Sequence, residues 1–123
     1  MQNDIEIYIK KRATGPILEW LTGTFGHTPD IVSTPSKGAT KLRITTERGV
    51  LPVMLVQQGQ WTSVWFNSAH TPWASDLACA QSAAEVMQTT VRCSDGGWQE
   101  GDDPDQFLEV TDGTVGTVIW RDE

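Results

Sequence analysis

Long apolar runs are missing from the 123-residue sequence, which argues against a membrane-spanning segment. The longest such run, Val50 to Val56, is interrupted by Pro52, whereas a spanning helix needs about 20 apolar residues. The opening MQNDIEIYIKK has acidic residues where a signal peptide needs a basic segment followed by an apolar one. We therefore expect a cytoplasmic protein with no membrane partner.

Cysteine and histidine are also scarce. Cys79 and Cys93 form no C-x-x-C pair, and the two histidines, His27 and His70, are far apart in the sequence. Such a set is too small for a zinc site or a disulfide framework, so we expect no metal and no cofactor. The helix after Cys79 rises by about 1.5 Å per residue and the strand that returns to Cys93 by about 3.3 Å per residue. The two thiols should therefore lie at a similar height on adjacent layers. Layers about 10 Å apart exceed the Cα separation of about 7 Å that permits a disulfide.

Basic residues are few in the second part of the chain. Residues 1–50 carry seven Lys/Arg against five Asp/Glu, and residues 51–123 carry two against eleven, for a net charge of −7. A nucleic-acid-binding protein needs clustered positive charge, so we expect no DNA or RNA partner. The acidic part suits a basic protein partner, or it serves only to keep the protein soluble.

Hydrophobic periodicity predicts an α+β fold. Apolar residues alternate over Ile5–Ile9, which indicates a half-buried strand, and recur every fourth residue from Ile17 to Phe25, which indicates a helix with Thr14 as N-cap and Gly26 as its end. The dipeptide Asp112-Gly113 is typical of a tight hairpin. The other predicted strands are Lys41–Thr46, Val50–Val56, Trp61–Asn67, Thr90–Cys93, Gln106–Val110 and Thr114–Trp120.

Proline placement refines this prediction. Thr71 and Pro72 suit the N-cap and first residue of a second helix. Its inward face would be Trp73, Leu77, Ala80, Ala84 and Met87. Pro52 predicts an open edge or a bulge in its strand. Residues 27–38 read as a loop, with at most a short strand at Ile31-Val32. The predicted order is β-α-β-β-β-α-β-β-β, a single domain over residues 1–123 and a two-layer sandwich with both helices on one face of a mostly antiparallel sheet.

The stretch GGWQEGDDPDQF, residues 96–107, concentrates four carboxylates around one tryptophan. A calcium loop of the EF-hand type fails here, because the ligand and glycine positions are taken by Phe107 and Leu108. Two interpretations remain: Trp98 anchors a contact surface, or it folds back over the edge of the core. The residues offered for binding are Trp98, Glu100, Asp102 and Asp103.

The strand Trp61–Asn67 carries two tryptophans on one face. Alternation places Val64 and Phe66 on one side and Trp61, Trp65 and Asn67 on the other. If the helices cover the first side, the second is an aromatic, helix-free face, which Tyr8, Lys41 and Arg43 should share. The alternative is a reversed strand, with the tryptophans in the core.

Nucleophilic chemistry is the alternative function. His70 and Asp76, at the start of the second helix, lie near Cys79 in the sequence, and in this alternative they act with Cys79 or with Cys93. No G-x-S-x-G elbow is present, and nearness in sequence does not make a triad. The leading hypothesis is therefore a non-enzymatic binding protein. It would contact a protein partner, basic in character, or its own copy in a homodimer, through Trp61, Trp65 and Asn67 or the Trp98 stretch. The alternative is a small hydrolase or thiol-dependent enzyme.

Overall fold

The computed structural model describes residues 4–10, 14–68, 71–94 and 105–120. Its eight strands form one antiparallel sheet in the order β2-β3-β4-β5-β1-β6-β7-β8. The predicted α+β two-layer sandwich is confirmed. The elements are β1 (Ile5–Lys10), α1 (Thr14–Phe25), β2 (Asp30–Ser36), β3 (Ala39–Thr46), β4 (Gly49–Gln58), β5 (Trp61–Phe66), α2 (Asp76–Met87), β6 (Val91–Ser94), β7 (Gln106–Thr111) and β8 (Thr114–Ile119).

Both turns predicted from glycine occur as expected. Gly26, with φ of +85°, ends α1, and its N–H donates to the Thr22 carbonyl over 2.8 Å. Asp112 and Gly113 have φ of 51° and 77°, so both central residues of the β7–β8 hairpin are left-handed, as a type I′ turn requires.

The β2 strand is longer than the sequence predicts. All of its seven residues are exposed, so no alternation of apolar and polar residues marks it. Its ladder with β3 is irregular, with register shifts between Ile31 and Ser33 and between Ser33 and Ser36. Pro35 is tolerated because β2 is an edge strand. The strand predicted at Ile31-Val32 is therefore confirmed, and the loop predicted around it is wrong where β2 extends to Asp30 and Ser36.

The start of the second helix is also wrong in the prediction. The N-cap is Ser75, whose side chain accepts a hydrogen bond from the Ala78 N–H over 3.1 Å, and not Thr71. The reason is Trp73, which stacks on Trp20 with ring centroids 5.5 Å apart and contacts Phe66 at 5.1 Å. These contacts hold the segment before α2 in a non-helical path.

Pro52 lies on an inner strand. β4 pairs with β3 on one side and β5 on the other, and its ladder with β5 ends at the pair Val53 and Phe66. One step further, the Asn67 N–H donates to the Pro52 carbonyl over 3.0 Å. Pro52 has no N–H to return that bond, so the ladder stops there. β5 ends next to Pro52, so β4 has no further ladder partner on that side from Pro52 onward. The expected open edge is thus local to the end of β5, and the pairings of β4 contain no bulge.

The core lies between the helices and one face of the sheet. Ile7, Val64, Phe66 and Val91 are fully buried there, together with Trp20 and Leu21 of α1 and Cys79 and Ala83 of α2. Within the described residues neither helix, at 12 residues each, is long and apolar enough to cross a membrane.

The sheet is wider than its helix layer. Eight strands at about 4.8 Å spacing would span about 34 Å if flat, whereas two packed helices cover about 20 Å. The helices therefore cover the middle strands, and both edge strands, β2 and β8, are exposed along nearly their whole length. The opposite face of the sheet carries no helix of the described residues, and it is the face that holds the predicted tryptophans.

Candidate functional site on the helix-free sheet face

The alternation predicted for β5 is confirmed. Val64 and Phe66 belong to the core under the helices. Trp61 and Trp65 lie on the helix-free face, opposite Lys10 and Glu6 of β1. The reversed arrangement, with both tryptophans in the helix-covered core, is therefore wrong. The helix-free face divides into two parts with different properties.

The first part is an aromatic cluster of Tyr8, Trp61, Phe107 and Trp120. The Trp120 ring centroid lies 5.0 Å from that of Trp61 and 5.1 Å from those of Tyr8 and Phe107. Trp120 follows β8, which is four positions from β5 in the sheet, a separation of about 19 Å in a flat sheet. The sheet must therefore curve strongly to bring these rings together. As a result Trp61 is only 3% exposed, so it offers almost no surface to a partner.

A partly buried cation completes the aromatic cluster. The Arg92 guanidinium lies 4.4 Å from the Trp61 ring centroid and 5.0 Å from that of Trp120. Its Nε donates to Glu109 Oε2 over 2.8 Å. The side chains of Arg92 and Glu109 are 17% and 27% exposed. The ion pair and the cation–π contacts join the guanidinium to Glu109, Trp61 and Trp120 of its own chain, so this arginine stabilises the curved sheet.

Tyr8 is held in its protonated form. Burial first, then the negative charge of Glu6 and a hydrogen bond to that carboxylate, together raise the pKa of Tyr8 to about 12. Glu6 also accepts a hydrogen bond from the Ser63 hydroxyl over 2.9 Å. At neutral pH the Tyr8 hydroxyl is therefore a donor to Glu6, and it is not poised to act as a base.

The second part is a groove beside Trp65, which we call the Trp65 groove. Its volume is about 470 Å³, and its apolar wall comprises Val32, Val50, Pro52, Met54 and Trp65. Lys41 and Arg43 also line it. Val32 and Val50 are 53% and 52% exposed, in contrast to the closed aromatic cluster on the same face.

Two residues that line the Trp65 groove, Trp65 and Arg43, are held by polar contacts. The Trp65 indole N–H donates to Asp4 Oδ2 over 2.8 Å, which orients the ring. Arg43 Nη2 lies 3.8 Å from Asp30 Oδ2, an exposed pair that contributes little to stability. Asn67, predicted from sequence as a binding residue, also lines the Trp65 groove.

The acidic stretch falls mostly outside the described residues, and with it Trp98, Glu100, Asp102 and Asp103. Its two flanks are described. Ser94 pairs with Phe107 across β6 and β7, and the Asp105 carbonyl accepts the Trp120 N–H over 2.8 Å. Phe107, at the end of this stretch, belongs to the aromatic cluster.

The residues of the enzyme alternative are only partly described. Cys79 and Cys93 are both buried and are not joined by a disulfide. Burial, together with Asp76 and Cys93, raises the pKa of the Cys79 thiol, whereas a nucleophilic cysteine needs a lowered one. His70 lies outside the described residues. Across residues 4–10, 14–68, 71–94 and 105–120, no three His, Cys, Asp or Glu side chains are grouped to hold a metal ion.

Sequence reasoning missed the β4 wall of the Trp65 groove. Val50, Pro52 and Met54 lie on the helix-free face, while Leu51, Val53 and Leu55 are buried in the core. The signal was present, because a run that is apolar at every position is apolar on both faces of its strand. No family model, curated protein or solved structure matches this chain.

Proposed function

We propose that this chain is a non-enzymatic binding protein that holds an apolar segment of a protein partner in the Trp65 groove. The observation that carries the proposal is that two exposed large apolar side chains, Val32 and Val50, line one groove together with Trp65. Exposed apolar side chains that line one groove are typical of interaction sites.

The contrast with the aromatic cluster supports this proposal. On the same face of the sheet, Trp61 is buried by rings and a cation of its own chain, whereas the rim of the Trp65 groove stays about half exposed. The indole of Trp65 is already oriented by Asp4, so little side-chain freedom is lost when a partner binds. Oriented tryptophans surrounded by polar groups are common binding hot spots.

The charges around the Trp65 groove suggest the chemistry of the partner. Lys41 and Arg43 favour a carboxylate beside the apolar segment of the partner. Trp98, Glu100, Asp102 and Asp103 remain in the proposal as a second contact, for basic groups of the partner. A partner with an apolar segment and both signs of charge would satisfy both contacts.

The test compares the wild-type chain with Trp65→Ala and Val86→Ala as immobilised baits in quantitative affinity capture. Val86, on α2 at the opposite layer, is 61% exposed and provides a matched apolar control. We expect a protein that the wild type and Val86→Ala retain equally and that Trp65→Ala loses by roughly tenfold or more, about 1.4 kcal/mol of binding free energy. Urea denaturation of each bait should show that Trp65→Ala remains folded.

Two results would contradict the proposal. One is a set of captured proteins that Trp65→Ala and wild type retain equally. The other is an equal loss of the captured protein from the Trp65→Ala and Val86→Ala baits, which would indicate that the protein binds away from the Trp65 groove. If a protein is captured as expected, titration of that purified protein into the wild-type chain, followed through tryptophan fluorescence, gives the affinity directly.

A further inference from the structure

The two edges of the sheet differ in how they resist pairing with another strand. β2 contains Pro35 and two register shifts, and prolines and irregular ladders block the addition of a strand. β8 pairs with β7 in six consecutive register pairs without a shift. Its sequence, TVGTVI, contains no proline and no charge. Over Thr114–Ile119, β8 therefore lacks three features that protect a sheet edge, namely a proline, a charged side chain and a register shift.

The outward-facing backbone groups of β8 follow from its hairpin. The Trp120 N–H donates to the Asp105 carbonyl, next to β7, and hydrogen-bonded and non-hydrogen-bonded residues alternate in an antiparallel ladder. Counting back, Val118 and Gly116 direct their N–H and C=O groups toward β7. The outward groups belong to Val115, Thr117 and Ile119, three residues spaced as a new strand needs them.

The side chains of these same three residues share one face. Val115 lies opposite the buried Val110, so Val115, Thr117 and Ile119 are on the helix side of the sheet, beyond the reach of the helix layer. Val115 is 39% exposed and Ile119 is 47% exposed. The outer edge of β8 is thus uncharged, and it exposes apolar side chains beside its outward-facing backbone N–H and C=O groups.

We propose that β8 pairs antiparallel with β8 of a second copy of this chain, with the two-fold axis passing through Thr117. In this register Val115 of each copy lies opposite Ile119 of the other, and Thr117 lies opposite its own copy. All three residues contribute outward backbone groups, so the pairing is complete over its length. Two apolar pairs then flank one threonine pair, and each pair of this kind stabilises a sheet.

A second copy suits this edge better than a charged peptide. The chain carries a net charge of −7, which disfavours self-association in general. β8 itself has no charge, so two copies meet there without direct repulsion. Its residues are also self-complementary about Thr117, a property that an isologous two-fold interface requires. This interface is separate from the Trp65 groove, which remains open in the dimer.

A charge-exchange experiment tests the register. In Thr117→Lys two like charges face each other across the axis, and the same holds for Thr117→Glu, because residue 117 is its own neighbour. Sedimentation velocity should show a wild-type dimer and a dissociation constant raised about tenfold or more in each variant alone. An equimolar mixture of the two variants should restore the dimer. Thr34→Lys, the same substitution on exposed β2, should leave the wild-type dimer unchanged.

Three outcomes would overturn the proposal. A wild type that remains monomeric at high micromolar concentration excludes the interface. A dimer that Thr117→Lys leaves intact and Trp65→Ala dissociates places self-association at the groove. Failure of the mixture to restore the dimer, with both variants folded by circular dichroism, shows that residue 117 does not lie on the axis.

Discussion

Replacing Trp120 by alanine tests whether the curved sheet depends on the aromatic cluster. Trp120 contacts Tyr8, Trp61 and Phe107 within 5.1 Å, centroid to centroid. It follows the edge strand β8, so its removal should not disturb the core under the helices. The substitution therefore probes the helix-free face alone.

The size of the effect follows from the area that Trp120 buries. A tryptophan side chain buries on the order of 200 Å² when fully enclosed, and Trp120 is partly exposed. Removing roughly 120 Å² of apolar contact at about 25 cal/mol per Å² costs about 3 kcal/mol. This is near the low end of measured losses for tryptophan-to-alanine substitutions in protein cores. We expect the free energy of unfolding to fall by about 3 kcal/mol.

Urea denaturation measures this loss, and the midpoint should fall by about 1 to 2 M. Acrylamide should also quench a larger fraction of the tryptophan fluorescence, although one tryptophan has been removed, because Trp61 loses its cover. Ile31→Ala is the control, since Ile31 is 58% exposed, and we expect it to cost less than about 1 kcal/mol. A loss below about 1 kcal/mol in Trp120→Ala, with unchanged quenching, would refute the account of Trp61 burial.

Three further predictions concern single groups. Tyr8 is the one tyrosine of the chain, so absorbance titration should give its pKa near 12. Glu6→Gln should lower the pKa of Tyr8 but keep it above the ordinary value, because the contribution of burial remains. Since the folded pKa lies above the unfolded value of about 10, the contribution of Tyr8 to stability is complete below pH 10 and is lost as the pH rises to about 12. Ser75→Ala should cost about 1 kcal/mol of stability, and Thr71→Ala only a few tenths, because Ser75 is the N-cap. Native protein should not react with a disulfide reagent at pH 8, since burial raises the pKa of Cys79, and both thiols should react after unfolding in guanidinium.

Each of these predictions has a contrary result. A Tyr8 titration near pH 10 would mean that its hydroxyl is hydrated and does not donate to Glu6. Equal losses of stability in Ser75→Ala and Thr71→Ala would indicate that α2 begins earlier than Asp76. Rapid labelling of one thiol in the native state would show that Cys79 or Cys93 is reached by solvent, and would revive the enzyme alternative.

The parts of the fold that sequence predicts correctly are those where burial is strictly periodic. β1 alternates fully buried isoleucines with half-buried polar residues, and β5 separates Val64 and Phe66 from the tryptophans. β2 has no such pattern because an edge strand beyond the helix layer buries neither face. β2 is a strand because its backbone pairs with β3. Backbone pairing alone imposes no alternation of apolar and polar residues, so the sequence does not reveal it.

The start of α2 shows a different limit. Thr71 and Pro72 are good N-terminal residues for a helix, and local preference alone would place the helix there. The contacts of Trp73 with Trp20 and Phe66 override that preference. Those contacts join three separate elements, so no local window of sequence contains them. The burial of Trp61 by Trp120 is hidden from sequence for the same reason.

Trp61 and Trp65 lie two residues apart on one face of one strand, and the structure separates their roles. The strands on the β1 side of β5 curve until Trp120 covers Trp61. On the β4 side, the neighbour of Trp65 is Met54, followed by Pro52 and Val50, and apolar surface there remains open to solvent. Exposed apolar surface of this kind does not stabilise the folded chain, because it is not removed from water. Replacement of Trp61, which is 3% exposed, should therefore cost more stability than replacement of the half-buried Trp65, and only the Trp65 replacement should reduce partner binding.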